Sequence, residues 1–308
     1  MLLSFVFLLI SLFIVIKSAN FAIRYSTYLA ENFNLPKYII GFAVVAVISI
    51  LPETFISVAS AIEKIPSFGL GTLFGSNVAD MTLIFALVIF FSGRKLKIES
   101  RLIKNRFLHI GAMVVPILLG LNGYYSRLDG VLLILVGVMF YYIILKKNIY
   151  VVGVNREKFK IKYLIFLLFS MGGLLLGSHF TVKYGVELAS GLNVSPILIG
   201  MLVVGLGTTL PELFFSIKAA KHHHDDLALG DILGTVVADA TIVVGTMALI
   251  NPFSFNLNII YVTGVFMFLA IFLLFHFMKS DRILSKKEAI LLFIFYIIFV
   301  FTEFFVNG

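Results

Sequence analysis

The sequence predicts an all-α membrane protein with ten transmembrane helices, arranged as two inverted-topology repeats of five. Three observations support this prediction: long apolar runs, basic residues confined to alternate loops, and an internal repeat that carries buried acidic residues. Of the 308 residues, 60% are hydrophobic and 13% are charged, whereas a soluble domain carries about 25% charged residues. The composition therefore indicates a polytopic membrane protein.

Apolar runs divide the chain into ten predicted spans. A helix needs about 20 apolar residues to cross a bilayer. The first run lacks a basic n-region and a cleavage site, so we interpret it as a retained span rather than a signal peptide. The predicted spans cover residues 2–16, 38–62, 68–92, 107–121, 128–145, 163–180, 196–217, 227–250, 257–278 and 289–305.

The basic residues lie almost entirely on one side of these spans. Loops that follow odd-numbered spans hold 21 of the 24 Lys and Arg residues, and the other loops hold Lys64, Arg127 and Lys183. The positive-inside rule then places the odd loops in the cytoplasm. We expect a multi-pass protein of the cell membrane with both termini outside the cell. Loop position also explains the formal net charge of +8, so we expect no nucleic-acid partner, and no protein partner is evident.

An internal repeat relates the two halves of the chain. The stretch 41–82 aligns with 200–241 without a gap, and 16 of the 42 positions are identical. We divide the chain into a first five-helix repeat (1–145), a cytoplasmic basic linker (146–162) and a second five-helix repeat (163–308). Because five is odd, the second repeat enters the membrane from the opposite side, as in many secondary transporters.

Four acidic residues lie deep within predicted spans and recur at aligned positions of the repeat. Glu53 pairs with Glu212, and Asp80 pairs with Asp239. One charge at the bilayer centre costs ~2.5–3.5 kcal/mol on a lenient insertion scale, so four would cost on the order of 10 kcal/mol. A single acidic residue in a span has a structural role about as often as a functional one. Two pairs with the same spacing favour a shared ion site.

The neighbouring residues fit such a site. Pro52 and Pro211 cannot donate a backbone hydrogen bond, so we expect each helix to break there and free carbonyl groups that line a cavity. Glycines spaced four residues apart would let helices approach closely. Hydroxyl groups stand four positions before each carboxylate, on the same helical face: these are Ser49, Thr208, Ser76 and Thr235.

The candidate ligands are all oxygen atoms. Sites rich in carboxylates favour Ca²⁺, which accepts about 6–8 oxygens in loose geometry, whereas Zn²⁺ and Cu²⁺ prefer nitrogen or sulfur. Na⁺ can use the same oxygens, so two ion types would compete for one set of ligands. The sequence predicts transported ions rather than a resident cofactor.

The two stretches resemble the calcium/cation antiporter family, whose sodium/calcium exchangers carry paired alpha repeats. In 41–82 the matching motifs are Leu-Pro-Glu and Gly-Ser-Asn-Val-Ala-Asp. In 200–241 they are Gly-Thr-Thr-Leu-Pro-Glu and Gly-Thr-Val-Val-Ala-Asp. The resemblance implies a central Ca²⁺ site at Glu53 and Glu212, with Asp239 at the acidic position of the second repeat. It further implies oxygen ligands for Ca²⁺ or Na⁺ from hydroxyls and nearby main-chain carbonyls: Ser49, Thr208, Thr209, Ser76, Thr235, Ala46 and Gly205.

The first repeat departs from the family pattern. It reads Ile48-Ser49-Ile50 where the family usually has Gly-Thr-Ser, and Asp80 stands where sodium/calcium exchangers usually have Asn. Asp80 adds a negative charge or a proton-binding group. The sequence predicts an antiporter that exchanges Ca²⁺ for Na⁺ by alternating access, with spans 1 and 6 moving as the resemblance implies. Exchange of Ca²⁺ or another cation for H⁺ is the alternative, and K⁺ coupling is left open.

Other functional classes fit the sequence less well. Paired membrane aspartates also occur in intramembrane aspartyl proteases, but the Gly-x-Gly-Asp motif is missing and the nearest text is Ala228-Leu229-Gly230-Asp231. A channel would need a pore-lining ring that the pattern does not indicate. The His222-His223-His224 tract is interpreted as a solvated turn, with a peripheral cation contact as the alternative.

Overall fold

The structure is a computed structural model that describes residues 2–32, 50–98, 103, 105–146, 161–279 and 282–307. Helices dominate these ranges. Eight of the described helical segments are long and apolar enough to cross a membrane. Two shorter apolar segments, Leu51–Ile62 and Arg106–Asn122, lie where spans 2 and 4 are predicted. Residues 38–49 of predicted span 2, and most of the 146–162 linker, fall outside the described residues.

The described helices fall into two sets, one from each half of the chain. The first set is α1 (Leu2–Asn32), α2 (Leu51–Ile62), α3 (Pro66–Ala79), a π-helical turn (Asp80–Ile84), α4 (Phe85–Ser92), α5 (Arg106–Leu119) with a 3₁₀ turn (Gly120–Asn122), and α6 (Arg127–Lys146). The second set is α7 (Ile161–Leu192), α8 (Pro196–Ile199), a π-helical turn (Gly200–Val204), α9 (Gly205–Thr208), α10 (Leu210–Lys221), α11 (Asp225–Ala238), a π-helical turn (Asp239–Val243), α12 (Val244–Ile250), a π-helical turn (Ile259–Gly264), α13 (Val265–Lys279) and α14 (Lys286–Asn307).

Local geometry recurs at aligned positions of the two halves. The starts of helices α2 and α10 align in the sequence repeat, and so do the starts of α3 and α11 and of the π-helical turns at Asp80 and Asp239. The turns that follow α2 and α10 both contain a residue with positive φ, Lys64 at 61° and His223 at 64°. The sequence repeat therefore corresponds to a repeat of backbone conformation.

Helices α1 and α7 are much longer than predicted spans 1 and 6. They contain 31 and 32 residues, so each is about 46–48 Å long, against a hydrocarbon core of about 30 Å. The prediction that loops begin at residues 17 and 181 is wrong for 17–32 and 181–192. Lys17, Arg24 and Lys183 therefore stand on helices rather than in loops.

The length of α1 and α7 has a packing reason, because they form one antiparallel pair. A β-carbon added at Gly173 would lie 2.2 Å from Ser18 Oγ, and one at Gly177 would lie 2.8 Å from Val15 Cγ2. Small residues thus let the two backbones approach closely. Contacts continue along both helices: Phe7 with Tyr184, Ser11 with Thr181, and Tyr25 with Phe166.

Four two-residue strands lie between the helices in the part of the chain that the structure describes. They are β1 (Leu96–Lys97), β2 (Tyr124–Tyr125), β3 (Phe253–Ser254) and β4 (Ile283–Leu284). Strand β1 pairs with β4 and β2 pairs with β3, both antiparallel. Each pair joins a loop of the first half to a loop of the second half, where loop backbones would otherwise lack hydrogen-bond partners.

A further link between the halves lies beside the histidine tract. Arg94, which follows α4, bonds to the Asp225 carboxylate and the Ala220 carbonyl, and the Lys97 N–H donates to Asp225 at 2.8 Å. The side chains of residues 222–224 are exposed, as expected of a solvated turn. Asp225 is buried, and its carboxylate accepts the hydrogen bonds that link the two halves.

The buried apolar side chains of the described residues form two clusters. The larger cluster contains buried side chains of α3, α4, α11, α12 and α13. The smaller cluster contains the inner faces of α1 and α7 packed against Ile56, Phe68, Ile199 and Val204. The α1–α7 pair therefore rests on the remaining helices through a separate apolar contact.

Candidate ion-binding site

The four predicted carboxylates occupy equivalent places in the two halves. Glu53 and Glu212 lie in the first turns of α2 and α10. Asp80 and Asp239 each begin a π-helical turn. All four are buried, with at most 1% of their surface exposed. Single π-helical turns within an α-helix are frequent at functional sites.

Charge interactions link the four carboxylates across the two halves of the chain. Asp80 and Asp239 both interact with Glu53, and Glu212 interacts with Glu53 and Asp80. Like charges at such a site repel one another in a low dielectric. Among the residues that the structure describes, no three His, Asp or Glu side chains converge in metal-ligand geometry. The carboxylates thus share a charged region rather than a closed cage.

The oxygens of these carboxylates lack protein donors. In the described part of the chain, both carboxyl oxygens of all four residues are buried and accept no hydrogen bond. A buried polar group without a partner costs roughly 1–3 kcal/mol, and more when charged. Acceptors that no protein donor reaches suit cations or water. This donor set fits the oxygen-ligated cations predicted from the sequence.

Three of the predicted hydroxyls donate to their own helices. Thr208 donates to the Gly205 carbonyl at 3.0 Å, Thr209 to Leu206 at 3.0 Å, and Ser76 to Leu73 at 3.0 Å. All three side chains are fully buried, and Thr235 is 1% exposed. Because each hydroxyl proton points to a carbonyl, the oxygen lone pairs are left for another partner. Thr208 in addition lies beside Glu53, which joins the two halves of the site.

The Gly205 carbonyl, which is a predicted main-chain ligand, is already occupied by hydrogen-bond donors. The Gly205 carbonyl accepts both the Thr208 hydroxyl and the Thr209 N–H, at 3.0 and 3.2 Å. A carbonyl has two lone pairs, so an ion would have to displace one of these donors. Ala46 and Ser49 lie outside the described residues.

The predicted helix break is present in the second half. Helix α9 ends at Thr208, the chain turns at Thr209, and α10 begins at Leu210 with Pro211 in its first turn. The break therefore precedes the proline by two residues, because proline fits the first turn of a new helix. In the first half, a turn at Ile50 precedes α2 in the same way.

Glycines let α3 cross the second half next to the site. A β-carbon at Gly71 would lie 2.4 Å from the Ile197 carbonyl oxygen, and one at Gly75 would lie 2.5 Å from that of Met201. A β-carbon at Gly205 would lie 3.1 Å from the Ser76 nitrogen. These close approaches place Ser76 of the first half directly against Gly205 of the second.

Sequence reasoning missed four residues near the carboxylates. Asn77 is buried, and its Oδ1 accepts no hydrogen bond from described residues; its position three residues before Asp80 is a usable signal. Tyr296 interacts with Asp80, and Tyr141 interacts with Asp239 while its hydroxyl donates to the Gly234 carbonyl at 2.9 Å. Asp231 interacts with Asp80 and Glu212. The two tyrosines lie on distant helices, where no local pattern points to the site.

The chain matches known membrane proteins along most of its length. The family described as sodium/calcium exchanger protein matches residues 3–146 and 162–305. The sodium/calcium exchanger MaX1 of Methanosarcina acetivorans is 22% identical, and the match covers 98% of this chain and 99% of MaX1. The putative antiporter CaxA of Alkalimonas amylolytica is 27% identical over 82% of each chain.

Two solved structures share the fold. The sodium-calcium exchanger NCX_Mj superposes with a TM-score of 0.68 at 24% identity and covers 96% of this chain and 97% of its own. The H⁺/Ca²⁺ exchanger CAX gives a TM-score of 0.76 at 17% identity, over 99% of this chain and 82% of its own. The protein is a multi-pass membrane transporter rather than an enzyme, so the protease alternative is wrong. The chain belongs to the sodium/calcium exchanger protein family.

Proposed function

We propose that this protein exchanges Ca²⁺ for Na⁺ across the membrane at the site formed by Glu53, Asp80, Glu212 and Asp239. One observation carries the proposal: four buried carboxylates from two equivalent segments form one group, and no described side chain or backbone donor satisfies their oxygens. Ca²⁺ neutralises two of these charges and accepts about 6–8 oxygens. Na⁺ ions that use the same oxygens would compete with it.

The ligands would come from both halves of the chain. Glu53 and Glu212 provide the central carboxylates, and Asp239 and Asp80 provide the flanking ones. Hydroxyl oxygens from Thr208, Thr209, Ser76 and Thr235 complete the shell, with Ser49 and the carbonyls near Ala46 and Gly205 as further ligands. Relatives named as sodium/calcium exchangers support the choice of ions.

Alternating access would use an inverted repeat of five helices in each half, 1–145 and 163–308, joined by the 146–162 linker. The matching backbone conformations at aligned positions of the two halves support this arrangement. The α1–α7 pair is the moving part in this proposal. Its separate apolar contact with the other helices supports that role. In addition, Leu12 of α1 lies over Gly207 of α9, one residue before Thr208. Movement of the pair would open the site to one side at a time.

Exchange of Ca²⁺ for H⁺ is the second candidate, and Asp80 favours it. Its carboxylate is buried beside other carboxylates, and the Tyr296 hydroxyl lies near it without a hydrogen-bond partner among described residues. Close carboxylates disfavour full ionisation, so a shared site can hold protons. The fold shared with an H⁺/Ca²⁺ exchanger is compatible with this candidate.

Flux measurements in proteoliposomes test the proposal. Uptake of radiolabelled Ca²⁺ should follow an imposed Na⁺ gradient and should be lost in Glu53→Gln and Glu212→Gln. Glu187→Gln is the matched control, because Glu187 is an exposed carboxylate on α7. Uptake driven by a pH gradient without Na⁺ would favour the H⁺ candidate, and separate K⁺ gradients test K⁺ coupling. Uptake that depends on none of the imposed gradients, or that is retained in both Gln variants, would refute exchange at this site.

A further inference from the structure

Helix α11 carries an acidic residue, Asp231, that the proposed set of ligands does not use. The helix begins at Asp225, and Asp231 precedes Asp239 by eight residues, which is about 12 Å along the helix axis. Spacing of four residues places Asp231, Thr235 and Asp239 along one face of α11. This face therefore leads from the start of α11 to the carboxylate site.

The exposure of side chains falls along this face toward the site. Asp231 is half-buried, as are the neighbouring Gly230 and Gly234. Thr235 is 1% exposed, and Asp239 is fully buried. A charged side chain within a membrane protein faces the bundle interior or a water-filled cavity, because contact with lipid tails is costly. The exposed part of Asp231 therefore lies on a wet approach to the site.

The charge of Asp231 acts on the carboxylate site itself. Asp231 interacts with Asp80 of the first half, with Glu212 of the second half, and with Tyr141 of α6. Both carboxyl oxygens of Asp80 and of Glu212 are buried and accept no hydrogen bond from described residues. A cation that passes Asp231 would thus reach acceptors that no described donor satisfies.

The aligned position of the first half carries no charge. Where 41–82 aligns with 200–241, Asp231 stands opposite Thr72. Thr72 is fully buried and donates its hydroxyl to the Phe68 carbonyl at 3.0 Å, and Gly71 and Gly75 beside it are buried too. In an inverted repeat, the starts of α3 and α11 face opposite sides of the membrane. The approach along α11 is therefore negative and partly open, whereas the approach along α3 is neutral and buried.

We propose that Asp231 recruits Ca²⁺ from the side of the membrane on which α11 begins, and so gives that side the higher apparent Ca²⁺ affinity. The positive-inside rule places the preceding turn, within 218–226, in the cytoplasm. A cleft lined by charge of one sign raises the local concentration of the opposite ion. A divalent ion gains twice as much from the same potential as Na⁺ does, so Asp231 favours loading of Ca²⁺ over Na⁺ from the cytoplasm. Recruitment of Ca²⁺ rests on the proposed Ca²⁺ exchange at Glu53 and Glu212.

Uptake measured separately from each side of the membrane tests the proposal. Initial rates of radiolabelled Ca²⁺ uptake, driven by an opposing Na⁺ gradient, would be compared in inverted and right-side-out vesicles of cells that express the full chain. In inverted vesicles, Asp231→Asn should raise the Ca²⁺ concentration for half-maximal uptake about tenfold, the lower end of the range for charge-lined clefts, at an unchanged maximal rate. In right-side-out vesicles, both values should equal those of wild type.

Two further variants separate recruitment from a structural role. Asp231→Glu keeps the charge and should restore the wild-type half-maximal concentration. Glu187→Gln removes an exposed carboxylate from α7 and should change neither value in either kind of vesicle. Thermal unfolding checks that every variant folds.

The possible outcomes of this experiment are distinct. An equal shift from both sides would make Asp231 a part of the central site, and the absence of any shift would deny it a role in uptake; either result overturns the proposal. A shift confined to right-side-out vesicles would contradict recruitment from the cytoplasm. Wild-type protein that takes up no Ca²⁺ with a Na⁺ gradient in either kind of vesicle would instead refute the proposed exchange.

Discussion

Gly75 lies where α3 crosses the second half of the chain, one residue before Ser76. A β-carbon there would lie 2.4 Å from Met201 Cγ, 2.5 Å from its carbonyl oxygen and 2.7 Å from its Cα. The Met201 side chain can move, but its backbone cannot move without displacing the segment that begins at Gly200. Overpacking of a core costs about 1–3 kcal/mol. Gly75→Ala should therefore lower the free energy of unfolding by about that amount.

Thermal unfolding of the purified protein, followed by circular dichroism at the helix band, measures this effect. At roughly 2–4 °C per kcal/mol, the expected fall in Tm is about 2–12 °C. Gly172→Ala is the control, since an added β-carbon there meets no atom within 4 Å. The variant should also bind Ca²⁺ more weakly, because Ser76 moves with the crossing. An unchanged Tm for Gly75→Ala, equal to that of Gly172→Ala, would show that the two halves do not cross so closely.

Three further predictions concern the links between the halves, the counter-ion and the long helix pair. Arg94→Ala should destabilise the protein by about 1–3 kcal/mol, because Asp225 is left buried with fewer hydrogen-bond donors. A double-mutant cycle with Asp225→Ala measures the coupling energy between the two side chains. Additive losses of stability would contradict the link. Asp80→Asn should weaken any uptake driven by a pH gradient while leaving Na⁺-driven uptake in place; an unchanged ratio of the two fluxes would exclude Asp80 as a proton carrier. Gly173→Val should force α1 and α7 apart, because a β-carbon there lies 2.2 Å from Ser18 Oγ; flux should fall while equilibrium Ca²⁺ binding stays, and wild-type flux would show that the close contact has no role in transport.

The repeat is evident in the sequence because its identical positions include residues that are energetically costly inside a membrane. A Pro-Glu pair inside an apolar run is expensive in a membrane, so its recurrence at the aligned position of the second half is a strong signal. Helix starts, positive-φ turns and π-helical turns recur at aligned positions in the structure. The close helix approach expected from the four glycines of the repeat is confirmed at Gly71 and Gly75. Among the described residues it is wrong at Gly230, where an added β-carbon meets no described atom within 4 Å, and at Gly234, where the nearest described atom lies 3.7 Å away.

Hydropathy could not give the true lengths of α1 and α7. A window scale ends a span where polar residues appear, such as Lys17 and Lys183. In the structure both side chains lie exposed on continuous helices, where each ammonium group lies near a neighbouring aromatic ring. Long basic side chains keep the charge exposed while their stems cover apolar surface. The helix continues because its partner helix continues, which is a tertiary effect.

The tyrosines near the site and the strand pairs could not be predicted from the sequence either, because they too depend on tertiary contacts. Tyr141 and Tyr296 lie on α6 and α14, and each interacts with a carboxylate of the other half of the chain. Pairing of β1 with β4 likewise joins segments that are far apart in the sequence. Such contacts depend on how the halves pack together, and no local pattern encodes them.

Equilibrium Ca²⁺ binding to the purified chain tests the central claim most directly. Titration calorimetry of the wild-type protein should show Ca²⁺ binding that added Na⁺ weakens by competition. Glu53→Gln and Glu212→Gln should each reduce the affinity at least tenfold, which corresponds to about 1.4 kcal/mol, while Glu187→Gln should bind as wild type does. Ca²⁺ binding that both Gln variants retain, or that Na⁺ leaves unchanged, would contradict a shared ion site built from the two buried glutamates.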